Sequence, residues 1–84
     1  MNVSEAQTFV DGLAKKWKVP SVKVIVEPLM PTWIAPCYFA PADHEIVIKD
    51  QVTEDDMKHE FRHYILNLIR IMPDVEEYIA NGNI

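Results

Sequence analysis

Eighty-four residues make one domain with a thin core, too short to divide. Hydrophobic residues are 49% of the chain and charged residues 25%, an ordinary globular balance that argues against disorder. Thirteen acidic residues outnumber eight basic ones, and the formal net charge of −5 counts against nucleic acid as a partner.

The single basic cluster, Lys15, Lys16 and Lys18, falls at the end of an expected helix, where cations complement the macrodipole. No apolar run approaches the length of a membrane span, and the N-terminus lacks a charged-then-apolar leader pattern, so a cytoplasmic protein with no membrane partner is expected. Cys37 is alone, which excludes an internal disulfide and a cysteine-based zinc knuckle; flanked by Pro36 and Tyr38-Phe39, it reads as a small buried hydrophobe.

In chain order, Ser4 with Gln7 has the spacing of a capping box, and Ala6, Phe9, Val10, Leu13 and Trp17 form a helical stripe to about Lys18, closed by Pro20. Val22, Val24 and Val26 then alternate with other residues as a first strand. Pro28 and Pro31 bracket a loop. Trp33 to Phe39, interrupted by Pro36, reads as an edge or bent strand. Pro41-Ala42-Asp43 is a turn. Glu45 to Lys49 alternates as a third strand, with Ile46 and Ile48 inward and Val47 outward.

The main helix starts at Thr53, which forms a capping box with Asp56. Met57, Phe61, Tyr64, Ile65, Leu68 and Met72 gather into one apolar stripe. Pro73 disrupts this helix, Asp74 caps a short final helix, and Asn81-Gly82 stops it. The fold class expected from this order is α+β: an N-terminal helix, a small three-stranded, mainly antiparallel meander, a long helix and a short C-terminal helix.

The main helix carries His59-Glu60-Phe61-Arg62-His63, an H-E-x-x-H string. Residues at i and i+4 project from one helix face, so both imidazoles can reach one metal ion, and Glu60 lies one step round. At about 100° per residue the two histidines fall nearly opposite the apolar stripe, facing water or a cleft. A helix returning after a sharp turn could add a carboxylate from Asp74, Glu76 or Glu77, although Glu77 also has the spacing to complete a capping box with Asp74.

After His63 and thirteen intervening residues the chain reads Glu77-Tyr78-Ile79-Ala80-Asn81. Together with the H-E-x-x-H string, this resembles the E-x-x-A-[DN] element of the gluzincin metallopeptidases. The stretch from Tyr38-Phe39-Ala40-Pro41 through Ile46-Val47-Ile48 is also similar to the strands that precede the active helix in that family. The resemblance covers residues 36 to 81.

It implies a minimal zincin-like domain holding one Zn²⁺ on His59, His63 and Glu77, with Asn81 hydrogen-bonded to His59 and fixing its tautomer. Glu60 would be the catalytic base that activates a zinc-bound water for peptide hydrolysis. The edge of Ile46, Val47 and Ile48 would hold an extended peptide or protein substrate. No oxyanion donor is identified among His44, Tyr64 and Tyr78, and Tyr64 belongs to the core stripe.

Larger gluzincins build a lower cleft wall after the E-x-x-A-[DN] element, whereas here the sequence given ends at Ile84. That leaves room for a homo-oligomer in which a second copy supplies the wall. It also leaves open a non-catalytic rival, a zinc-stabilised regulatory or interaction protein, and a third reading in which the motif is coincidental.

Overall fold

The computed structural model describes residues 1–29 and 36–70. It has α1 (Val3–Trp17), β1 (Lys23–Val26), β2 (Cys37–Ala40), β3 (Glu45–Ile48) and α2 (Glu54–Ile69). The α+β class holds, with two helices and three strands among the described residues. The first part of the expected Trp33–Phe39 strand, the helix end at Met72, the Pro73 break and the final helix with Asp74, Glu76, Glu77, Tyr78 and Asn81 lie outside the described residues.

The N-cap of α1 lies two residues before the expected one. Asn2 is its N-cap: the side-chain oxygen accepts the Glu5 N–H at 2.9 Å, and the Glu5 carboxylate accepts the Asn2 N–H at 3.1 Å. Asn and Ser are comparable caps, so local preference alone does not choose between Asn2 and Ser4. The side chain of Gln7 is engaged elsewhere. Its amide nitrogen donates to the Val22 carbonyl at 3.0 Å, and its oxygen accepts the Val24 N–H at 2.7 Å, tying β1 to α1. At the other end Lys18 takes the left-handed conformation (φ 57°), and the Val19 N–H closes onto the Ala14 carbonyl at 3.0 Å, a Schellman-like finish.

The sheet is mixed and ordered β1-β3-β2, not a mainly antiparallel meander. The β2–β3 hairpin forms around the expected turn, with His44 at φ 52°. Strand β1 then pairs with β3 in parallel, from Lys23↔Glu45 to Val26↔Ile48. This makes β3 the central strand, and its composition suits that place. Ile46, Val47 and Ile48 are three consecutive apolar residues, and all are buried, Val47 included. Val47 does face away from Ile46 and Ile48, but Ile25 and Tyr38 flank it in register on either side.

The core contains Ala6, Val10 and Ala14 from α1, Val24, Ile46 and Ile48 from the sheet, and Met57, Phe61, Tyr64, Ile65 and Leu68 from α2. Phe61 is its aromatic centre, edge-on to Trp17 with ring centroids 5.1 Å apart and 5.4 Å from Tyr64. The Tyr64 hydroxyl donates to the Pro20 carbonyl and fastens α2 to the segment leaving α1. No helix among the described residues is long and apolar enough to cross a membrane.

Candidate metal centre

The site is built on α2, and the cap and stripe of that helix set its rotation. Thr53 Oγ1 accepts the Asp56 N–H at 3.1 Å, and Asp56 Oδ2 accepts the Thr53 N–H at 3.0 Å, the reciprocal box expected from the sequence. Glu54, Asp55 and Asp56 place negative charge at the positive end of the helix dipole. Met57, Phe61, Tyr64, Ile65 and Leu68 are buried against the sheet and α1. That anchoring leaves His59 and His63 on the exposed side, as their phase along the helix requires.

The two imidazoles meet there. Their Nε2 atoms lie 3.2 Å apart, with the rings edge-on at a centroid distance of 4.8 Å. Two nitrogens each about 2.0–2.1 Å from one tetrahedral zinc ion would be separated by about 3.3 Å, so this spacing suits a shared metal. It also suits an N–H···N hydrogen bond between the two rings. The ligand atoms of His59, Glu60 and His63 all lie within 4.8 Å of one another.

Glu60 is the buried member, only 6% exposed. It lies against β2, where the Phe39 backbone hydrogen-bonds its carboxylate and the Cys37 thiol approaches Oε2 at 4.0 Å. Burial raises the carboxyl pKa above the ordinary 4.5; His59, His63 and the Phe39 hydrogen bond pull it down, and Asp56 adds to the rise. Burial is the larger influence, so the carboxyl keeps its proton to higher pH than a freely exposed one. Cys37 shares the environment: burial, then the charges of Glu60 and Asp56, push its thiol up to about 12. It is an inert packing thiol, as its apolar setting indicates.

A cleft of about 520 Å³ opens beside Glu60 and His63, with Tyr38, Phe39 and Pro41 on the strand side and Leu66, Asn67 and Arg70 further along α2. Ile46, Val47 and Ile48 do not form its rim. Both sides of β3 are hydrogen-bonded to neighbouring strands, so among the described residues the sheet edges are β1 and β2, and β2 is the edge that meets the cleft. The clue in the sequence is the unbroken apolar run at 46–48, which marks an interior strand better than an exposed edge.

Glu77 and Asn81, the expected third ligand and its supporting residue, lie outside the described residues, as do Asp74, Glu76 and Tyr78. Tyr64 is core and its hydroxyl is committed to Pro20, and His44 is exposed at the β2–β3 turn. The two arginines near the histidine face diverge: Arg70 lines the cleft, while Arg62 borders a separate hollow with Trp17 and Lys58. Compared with models of known protein families, with curated proteins and with solved structures, the chain matches none.

Proposed function

We propose that the protein is a zinc-dependent metallopeptidase of gluzincin type, with His59, His63 and Glu77 as metal ligands, Asn81 supporting His59, and Glu60 as the catalytic base. One observation carries this reading: two exposed imidazoles converge to 3.2 Å on one helix face while the intervening glutamate is buried beside them at a cleft. Zinc held there would supply the Lewis acid that polarises a peptide carbonyl and makes water more acidic.

The chain supplies the rest. The core stripe of α2 fixes the rotation of the helix, so both imidazoles start from the same exposed face and within reach of each other. Glu60 takes a proton from the attacking water and returns it to the departing amine. A carboxyl group whose pKa is raised by burial is better matched to that exchange near neutral pH than an exposed one. The Phe39 hydrogen bond and the Cys37 thiol hold the carboxylate in place. An extended peptide lies in the cleft along the outer side of β2, with Tyr38 and Phe39 against it.

The test is hydrolysis of an unfolded protein by the zinc-loaded chain, wild type against Glu60→Gln. The variant should keep its zinc and lose about 10²–10⁴-fold in turnover, the usual contribution of a positioned general base. Zinc bound equally by both proteins, with no wild-type hydrolysis above background, would favour the non-catalytic, zinc-stabilised module instead.

A further inference from the structure

The far end of the cleft combines an apolar stretch with a cation. His63, Leu66, Asn67 and Arg70 follow one another along one side of α2 at i, i+3, i+4 and i+7, and all four line the cleft. Leu66 is 59% exposed and Tyr38, on the opposing strand, is 41% exposed. Two large apolar side chains left open on either side of a cleft make a place for a third. Beyond them stands Arg70, exposed, at the C-cap of α2.

We infer that this end of the cleft is a specificity subsite for an apolar residue followed by a carboxylate, with Leu66 and Tyr38 taking the side chain and Arg70, assisted by the Asn67 amide, taking the carboxylate. The inference rests on the metallopeptidase reading for its direction, since it counts the peptide outward from the His63 end. Lengths agree with it. Seven residues of helix at about 1.5 Å each set Arg70 about 10 Å beyond His63. Extended peptide covers that distance in about three residues. With the reach of the guanidinium included, the carboxylate falls one or two residues past the bond to be cut.

A guanidinium presents paired N–H groups to the two oxygens of a carboxylate, which a neutral amide cannot reproduce. The carboxylate can come from the α-carboxyl group of a C-terminal residue or from an acidic side chain. The first would make the chain release short C-terminal fragments; the second would direct it to internal acidic sites.

The experiment uses three N-acetylated peptides of one apolar sequence: a free C-terminal acid, its amide, and an amide whose last residue is glutamate. Binding to the zinc-loaded Glu60→Gln protein is read from NMR shifts, and cleavage is measured with wild type. One of the carboxylate peptides should bind about tenfold or more tightly than the neutral amide. Arg70→Gln should reduce that ratio to about twofold or less, and Arg70→Lys should restore part of it.

A ratio that is absent, or unchanged in Arg70→Gln, overturns the subsite. Carboxylate-selective binding without wild-type cleavage upholds the subsite and removes the peptidase reading. Cleavage that ignores the carboxylate leaves the peptidase reading standing and removes the subsite. Which carboxylate peptide is preferred identifies the source.

Discussion

Glu60 shows most directly how burial sets the acid–base character of one side chain. A carboxyl group 6% exposed, with its pKa above 4.5, is held by the fold in an environment that favours its proton. The stabilisation from that preference is complete below the unfolded-state value and is lost as pH rises through the raised folded-state value. In the zinc-free protein at neutral pH, therefore, Glu60→Gln should raise the thermal midpoint, and the gap to wild type should close as pH falls below about 4.5. A variant less stable than wild type at neutral pH would mean that the ionised carboxylate, drawn to the histidines, is the favoured form.

Cys37 gives a second test at this scale. With 4% exposure and a thiol pushed up to about 12, it should react with a disulfide reagent at pH 8 far more slowly in the native protein than after unfolding in guanidinium. Rapid native labelling would show that the β2–α2 contact opens readily. The sequence around Cys37 was enough to anticipate a buried thiol. Its approach to Glu60 was not, because 23 residues separate the two and nothing local encodes the pairing.

At the scale of elements, α2 was legible because its signals are local and agree. Thr53 and Asp56 fix the start, and the stripe from Met57 to Leu68 fixes the rotation, which in turn sets where His59 and His63 point. Removing the cap tests that chain of cause. Thr53→Ala should cost about 1 kcal/mol, which for a domain of this size lowers the midpoint by about 4–8 °C. Removing the anchor should cost more: Phe61→Ala takes out the ring packed on Trp17 and Tyr64, and core phenylalanines lose about 3–5 kcal/mol on truncation. Equal effects of the two changes, in urea melts with unchanged slope, would contradict this picture of how α2 is held.

The other elements show where local signals stop. Asn2 with Glu5 and Ser4 with Gln7 both have the capping-box pattern, and the side chain of Gln7 decides by bonding to the backbone at Val22 and Val24 instead. Alternation in the strands tells which residues share a face but not which strands are neighbours. The parallel β1–β3 pairing joins residues 22 positions apart, as in Lys23↔Glu45, and it displaces β2 to the edge. That one non-local choice puts Ile46–Ile48 inside the sheet and leaves β2, among the described strands, at the edge beside the cleft.

For the molecule as a whole, 84 residues and a thin core leave modest stability, so a ligand bound only by the folded state should be visible in the melting behaviour. Zinc at about a hundred times its dissociation constant should add about 2.7 kcal/mol. The gain should vanish with chelator and be absent in His63→Ala. The proposed site draws two ligands from α2 and one from the segment beyond residue 70, so zinc would also tie that segment to the helix.

The proposed chemistry requires His59 and His63 to share one metal ion, and the most direct test is metal content per chain by elemental mass spectrometry on wild type, Glu60→Gln, Glu77→Ala and His63→Ala. The expected result is about one zinc per chain in wild type and Glu60→Gln, much weakened retention in Glu77→Ala, and none in His63→Ala. Zinc missing from the wild type even after it is supplied, or held as firmly by His63→Ala as by wild type, would contradict the claim and with it the proposed chemistry.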